Sequence, residues 1–510
     1  MTKNYLDILA ETIRTNWDQP ALTDFYLTED GSAQDTSRGN HYTYGEMYAE
    51  ICRVADLLTS LDLQKGDHIA ICGANSAHWV IAYLAIAKMQ GVSVTVMQTL
   101  KPEEITRQID FSDAKALFTD EDIWEKLRSQ SIPQAESVIG LENWQVLRGE
   151  KITNYKLQIT NGEIGFSPVE PDSLAMICFT SGSTSASKAV MLPYRSLTNN
   201  MYNTWEVYPK CANPNTILML PLAHTFGLTS DFIGQITVAK HLHILKSVPS
   251  PSIIYSSILN IRPYALTIIP VLLISLYDSY KEKLIEEIKK SCHFVASGGV
   301  KFSPELEAIC QKAGVILSVG YGLTEAGPAI SGSSHKLIRP KSCGKIFKGM
   351  TARISPEGEI LVKGENVMLG YYKDPEATAA KIDSDGWLHT GDKGHLDEDG
   401  YLYVEGRLEQ DIIVLPNGEN IRPDNIESLI NALPEVSESI VLARDGKLVA
   451  IAVPSSLPFR EESEVGSLRR KILRAINPSL PLFSQLNDVE ITDKPLARTE
   501  KQTIKRYLYK

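Results

Sequence analysis

Between residues 42 and 118 the chain switches repeatedly between two hydrophobic periods, and that alternation limits the fold more than any other feature. Tyr42-Thr-Tyr-Gly-Glu-Met-Tyr-Ala-Glu-Ile-Cys-Arg-Val-Ala-Asp-Leu-Leu58 places apolar residues at helical spacing. Gly66-Asp-His-Ile-Ala-Ile-Cys72 then reads as a buried strand, 76–89 as a helix and Val92-Ser-Val-Thr-Val96 as a β-branched strand. Segments 101–110 and 114–118 repeat the pattern. Strands joined through helices form parallel sheets covered on both faces, so the expected class is α/β. Segment 136–168 is weakly patterned and reads as a surface excursion.

Further along, Leu266-Thr-Ile-Ile-Pro-Val-Leu-Leu-Ile-Ser-Leu276 is an apolar run interrupted by Pro270. Phe294-Val-Ala-Ser-Gly-Gly-Val300 and Ile316-Leu-Ser-Val-Gly-Tyr-Gly322 read as strands ending in glycine turns. From Cys343 the texture changes to short alternating strands with turns at Glu357-Gly358 and Asp399-Gly400, the pattern of a small β subdomain. After Arg407 comes a mixed α/β tail of about 100 residues, enough for a small domain. A chain of 510 residues exceeds one core and implies at least two domains.

With 51 basic and 62 acidic residues the net charge is −11, which argues against a nucleic-acid surface. The seven cysteines are scattered with no C-x-x-C pair, as expected of free thiols in a reducing compartment. The beginning of the sequence has no apolar stretch of signal-peptide length, and the apolar run at 265–276 is far below the ~20 residues of a membrane span. A cytoplasmic protein with at most peripheral membrane contact is expected.

The least ordinary stretch is Cys178-Phe-Thr-Ser-Gly-Ser-Thr-Ser-Ala-Ser-Lys-Ala-Val-Met-Leu192. Its hydroxyls and backbone N–H groups can donate to anionic oxygens, Gly182 permits close backbone approach, and Lys188 adds a point charge. A Ser/Thr-rich surface hairpin would have the same composition. Gly182 and Lys188 do not have the P-loop spacing. Thr180-Ser-Gly-Ser-Thr-Ser-Ala-Ser-Lys-Ala189 instead resembles the T-S-G-[ST]-T-G-x-P-K-G signature of the AMP-forming adenylating superfamily of acyl-CoA synthetases, adenylation domains and luciferases. Ser185, Ser187 and Ala189 depart from it.

Four more segments resemble that superfamily in order and spacing, from about Tyr42 to Arg506. The resemblance implies a large N-terminal domain, 1–408, of parallel α/β subdomains plus a small β subdomain, then a small mobile α+β domain, 409–510. Thr180, Ser181, Gly182, Ser183, Thr184 and Lys188 would cradle phosphates. Tyr321-Gly-Leu-Thr-Glu325 resembles Y-G-x-T-E: Tyr321 with Gly322 would border adenine, Thr324 would contact the α-phosphate, and Glu325 would hold Mg²⁺. Gly298, Gly299 and Val300 would line the adenine edge. Asp392 of His389-Thr-Gly-Asp392 would take the ribose hydroxyls, and Arg407 the sugar or phosphate. Pro221-Leu-Ala-His224-Thr-Phe-Gly227 resembles the aromatic gate beside the acyl pocket, with Ile269-Pro-Val-Leu-Leu273 as a tunnel wall.

The implied activity is ATP-dependent activation of a carboxylic acid through an acyl-adenylate, with ATP, Mg²⁺ and coenzyme A. An acyl-carrier protein is the alternative acceptor. Val414-Leu-Pro-Asn-Gly-Glu-Asn420 is similar to long-chain fatty acyl-CoA ligases and implies a fatty or other apolar acid. Two departures bear on catalysis. Gln410 occupies the hinge position, and Thr503 stands where the adenylation lysine belongs, with Lys501 and Lys505 two residues away on either side. Residues two apart in an extended segment share a side about 7 Å apart, so either lysine can reach. Lys501, which precedes the I-x-R anchor, is the expected replacement. A degenerate member that binds nucleotide without turnover is the second reading.

Overall fold

The computed structural model describes residues 3–28, 35, 37–129, 135–149, 164–180, 187–246, 250–298, 304–334, 339–408, 413–414, 420–421, 423–444, 447–455, 462–480, 484–498 and 504–509. The chain divides into two compact units that part between Gly406 and Arg407.

The first unit is built on an eight-stranded sheet, in the order Gly370–Tyr371, Ala189–Pro193, Leu174–Phe179, Val92–Thr95, His68–Cys72, Ala116–Thr119, Ser137–Gly140 and Val146–Arg148. Its central strands are parallel, as the alternation predicts, and antiparallel strands close both edges. The helix Ala77–Lys88 is buried on every side from Ala77 to Ala87, which explains its uniformly apolar sequence. The Ser76 hydroxyl caps its first turn through Trp79 N, and Asp24 Oδ1 accepts Ala77 N at 2.7 Å. The helix Tyr44–Ser60 begins with a reciprocal capping box between Thr43 and Glu46.

Segment 136–168 is not wholly an excursion. Ser137–Gly140 is a buried strand parallel to Ala116–Thr119, and Val146–Arg148 returns beside it. Four residues are too few for a periodicity to register.

A second sheet runs Ala265–Thr267, Phe294–Ser297 and Ile316–Gly322 in parallel, then Ala329–Gly332 and Lys345–Ile346 antiparallel. The apolar run containing Pro270 proves to be two elements. Strand Ala265–Thr267 ends, and Pro270 opens the helix Pro270–Tyr280 at a position where its missing N–H is harmless. Leu273 of that helix packs in a core with Ile254, Ile258, Leu284 and Ile309, while Val271 is 50% exposed. Of the expected tunnel wall, Leu273 thus lies in this core, while Ile269 and Leu272 are half-buried. A third sheet joins Asn215–Leu218, His241–Ile244, Pro20–Asp24 and His41–Thr43. The β subdomain is the sheet Met350–Ile354, Glu359–Gly364, Leu388–Leu396 and Leu402–Arg407, with the expected turns at Gly358 and Gly400, both at φ near +80° or above.

The second unit has its own sheet, Val436–Arg444, Lys447–Pro454 and Asp488–Ile491, packed on helices Pro423–Asn431 and Glu462–Ile476. Ile426, Ile430, Val441, Ala450, Ile472 and Val489 fill the space between. Arg506 donates through both terminal guanidinium nitrogens to the two carboxylate oxygens of Glu427, which is 7% exposed. That fork holds the C-terminal I-x-R segment to the helix carrying Glu427. All seven cysteines are free. No helix among the described residues is long and apolar enough to cross a membrane.

Candidate nucleotide and acyl site

Thr180, Gly298 and Tyr321 stand at the carboxyl ends of parallel strands, where open α/β sheets leave a crevice, while Asp392 lies within the antiparallel strand Leu388–Leu396. Strand Ile316–Gly322 ends in Tyr321 and Gly322, and a 3₁₀ turn Thr324–Ala326 follows. A β-carbon on Gly322 would lie 1.9 Å from the Pro328 carbonyl oxygen, so only glycine permits this turn. Thr324 is 5% exposed.

Tyr321 donates its hydroxyl to Asp392 Oδ2 at 2.7 Å, so the two residues expected at adenine and ribose are in direct contact. Asp392 is 7% exposed and is shaped by its own motif. The Thr390 hydroxyl accepts Asp392 N at 3.0 Å and donates to Ile360 O at 2.7 Å. Gly391, at φ +74°, gives its N–H to Glu359 Oε1, whose other oxygen engages His389 Nδ1. Glu359 is thus a scaffold of the T-G-D turn that sequence reasoning missed. Asp392→Ala is expected to weaken binding of ATP and of AMP alike by about tenfold or more, the usual scale for a charged hydrogen bond. Isothermal titration with each nucleotide checks this, alongside an unchanged melting temperature.

Glu325 is tied by backbone and side chain to one short segment. Its carbonyl accepts Met368 N at 2.9 Å, and Oε1 accepts the Tyr371 hydroxyl at 2.8 Å. At the base of the cradle, Thr180 N donates to Lys188 O at 2.9 Å and Lys188 N to the Thr180 hydroxyl at 3.2 Å. Lys188 Nζ lies 4.7 Å from the centroid of the Tyr371 ring, a cation–π contact. Ser187, standing where the signature has proline, accepts a bond from Gln108 Nε2 at 3.1 Å.

A β-carbon on Gly298 would come 3.1 Å from Gly320 O and 3.7 Å from Phe226 Cζ, so the tip of the Phe226 ring meets bare backbone there. His224 Nδ1 accepts Phe226 N at 3.2 Å. Ends of the large sheet hold the gate in place. Asn75 brackets it through Leu220 O and Leu222 N, each at 2.9 Å, and the Thr95 hydroxyl donates to Ala223 O at 3.0 Å. Neither anchor carries a signal in the sequence.

From Phe226 the chain enters a π-helical turn, Gly227–Ile233, that buries Asp231 to 1% exposure. Burial drives its pKa well above the ordinary carboxylate range, with the Thr267 side chain and the Leu220 backbone opposing weakly. Folded protein therefore keeps a proton that unfolded chain releases near pH 4, and stability falls as pH rises from about 4 toward the folded pKa. Asp231→Asn is expected to stabilise the protein by about 1 kcal/mol or more at pH 8, with the gain vanishing near pH 4. Thermal melts of both proteins across that range check the sign.

Ser181, Gly182, Ser183, Thr184, Gly299, Val300, Gln410, Lys501 and Thr503 lie outside the described residues, as does the side chain of Arg407. Among the described residues no three His, Cys, Asp or Glu side chains converge as a metal centre. Glu325 fits a different use. Oε2 takes no hydrogen bond from the described residues, and Mg²⁺ commonly binds one or two carboxylates and completes its shell with water and substrate phosphate.

The family profile described as AMP-binding enzyme matches residues 9–372, and the AMP-binding enzyme C-terminal domain matches 410–509. A 4-coumarate–CoA ligase of Oryza sativa subsp. japonica is 24% identical over 487 residues, 90% of this chain and 85% of the relative. A Rhodococcus jostii CoA ligase for a methyl-dioxo-octahydro-indenyl propanoate is 27% identical over 450 residues, 78% of this chain and 80% of its own length. The o-succinylbenzoate coenzyme A synthetase of Bacillus subtilis, solved with ATP and magnesium, superposes with a TM-score of 0.77 at 24% identity, covering 98% of each chain.

Proposed function

The chain belongs to the AMP-binding enzyme family, and on that premise we propose that it activates an apolar, ring-bearing carboxylic acid as its adenylate and transfers the acyl group to coenzyme A. The class of reaction is that of an AMP-forming acid–thiol ligase, with ATP, Mg²⁺ and coenzyme A. The substrate carboxylate attacks the α-phosphorus and pyrophosphate departs. The coenzyme A thiolate then attacks the acyl carbon and AMP departs.

The observation that carries the nucleotide half of this reading is the Tyr321–Asp392 contact beside the Glu325 turn. An aromatic face, a buried carboxylate and a metal-competent carboxylate meet at one strand end. Bound Mg²⁺, held by Glu325, would neutralise phosphate charge. The protein's own groups position the reactants and supply fixed charge, Lys188 on the side of the leaving pyrophosphate.

For the acyl half, the gate segment sets the Phe226 ring against the bare backbone at Gly298, an apolar side chain beside the strand ends that carry the site. Leu273 is withdrawn into the core, and the relatives named for coumarate and an indenyl propanoate act on ring-bearing acids. These points favour rings over the long-chain fatty acids that segment 414–420 suggests. Pyrophosphate release with Mg·ATP across acids from acetate through long-chain fatty to cinnamic, benzoic and fused-ring acids, with and without coenzyme A, tests the proposal. Release with ring-bearing acids and acyl-CoA formation support it. Release only with fatty acids overturns the substrate class. ATP binding without release from any acid favours the degenerate member that Ser185, Ala189 and Thr503 suggest.

A further inference from the structure

We propose that Tyr371 is a positioning residue that holds the charges of Glu325 and Lys188 apart and aims each at its own target, an inference that rests on the adenylating reading of the site. Lys188 and Glu325 carry opposite charges and both touch Tyr371, yet among the described residues no ion pair joins them. Left alone, a flexible lysine beside a carboxylate closes onto it, and the pair then neutralises both the metal ligand and the phosphate cation. Tyr371 gives each charge a different partner. Its hydroxyl donates to Glu325 Oε1 at 2.8 Å, and the face of its ring takes the Lys188 ammonium at 4.7 Å.

The backbone makes this placement rigid. Tyr371 pairs with Val190, two residues past Lys188, in the antiparallel edge of the large sheet. Leu369 N donates to Met191 O at 2.9 Å and Tyr372 N to Ala189 O at 2.8 Å, while Met368 N donates to Glu325 O. Segment 368–372 therefore stitches the strand leaving the cradle to the turn that carries Glu325. Tyr371 is 4% exposed, and its own N–H is fixed by the Thr378 hydroxyl at 2.8 Å. With Oε1 occupied, Oε2 is the oxygen that no described residue bonds, and a cation that meets a ring face among the described residues can leave it for a stronger anion.

Tyr371→Phe removes the hydroxyl and keeps the ring. The test is isothermal titration of the full chain with ATP at increasing Mg²⁺ and with AMP in the absence of metal, without any acid substrate. The variant is expected to need about tenfold more Mg²⁺ for half-maximal tightening of ATP binding, the loss of one hydrogen bond to a charged group. AMP affinity and melting temperature stay at wild-type values. Tyr371→Leu, which also removes the ring, is expected to lose ATP affinity further because Lys188 then closes onto Glu325. Wild-type Mg²⁺ dependence in Tyr371→Phe overturns the proposal, and so does a parallel loss of AMP and Mg·ATP affinity, which marks a purely structural tyrosine. Wild-type protein that binds neither nucleotide overturns this inference and the adenylating reading together. Wild-type protein that binds Mg·ATP but releases no pyrophosphate defeats only the latter, and the comparison of variants still decides the role of Tyr371.

Discussion

Glu325→Ala is expected to cut Mg²⁺-dependent pyrophosphate release by about a thousandfold, the scale seen when a preorganised charge is taken from a transition state. Three features of the structure lead there. The turn Thr324–Ala326 fixes the backbone, the Met368 amide clamps the Glu325 carbonyl, and Tyr371 fixes one carboxylate oxygen. With the rotamer already set, little ordering remains when the metal arrives, so the carboxylate's charge is fully expressed in the transition state. AMP, which needs no metal to bind, should retain its affinity, because the Tyr321–Asp392 contact is untouched. Glu325→Gln separates charge from shape, since the amide oxygen can still accept from Tyr371. It is expected to lose nearly as much rate as alanine while melting like wild type. Stopped-flow pyrophosphate assays over a Mg²⁺ series read both variants, and wild-type rates in either would remove Glu325 from the reaction.

The contacts that make such predictions specific were unevenly legible in the sequence. Strands and helices from 42 to 118 were readable because helix Tyr44–Ser60 carries one apolar face, while the short β-branched runs and the long apolar run at 77–88 differ in length. Pro270 showed that the apolar run was interrupted but not that it begins a helix, because the same residue suits a helix start and a break equally. The sheet containing Pro20–Asp24 was not readable, since its neighbour His241–Ile244 lies more than two hundred residues away and no local pattern encodes that pairing.

The same division holds in the site. The motifs single out Asp392 and Tyr321 as expected nucleotide contacts, but their mutual hydrogen bond is a tertiary fact. Asn75, Thr95, Glu359 and Tyr371 act by holding other residues, and side chains of that kind are chosen by distance rather than by spacing along the chain. Tyr371 in particular sits in a run of ordinary surface character, Tyr371-Tyr-Lys-Asp-Pro-Glu-Ala-Thr378, and only its burial distinguishes it.

Lys501→Ala is expected to slow adenylate formation by about a hundredfold or more while leaving thioester formation from supplied acyl-adenylate within a fewfold of wild type. The proposal behind it is that Lys501 carries the charge bridging substrate carboxylate and α-phosphate, in place of a lysine at Thr503. The frame on either side of this lysine is well held. Arg498 is bridged to Ile504, Lys505 N donates to Ala497 O at 2.7 Å, and Arg506 is forked onto Glu427. Lys505 belongs to that frame, so Lys505→Ala is the control and is expected to affect both half-reactions equally or neither. Moving the charge supplies the decisive comparison. In Lys501→Thr combined with Thr503→Lys, the lysine returns to the position usual in the signature, and adenylation should recover if the only requirement is one ammonium group on that segment. Recovery with loss of rate in Lys501→Ala alone would establish the exchange of positions. If Lys501→Ala leaves adenylation intact and Lys505→Ala abolishes it, the bridging lysine is Lys505. If neither single variant matters, the reaction's charge comes from another element of the chain.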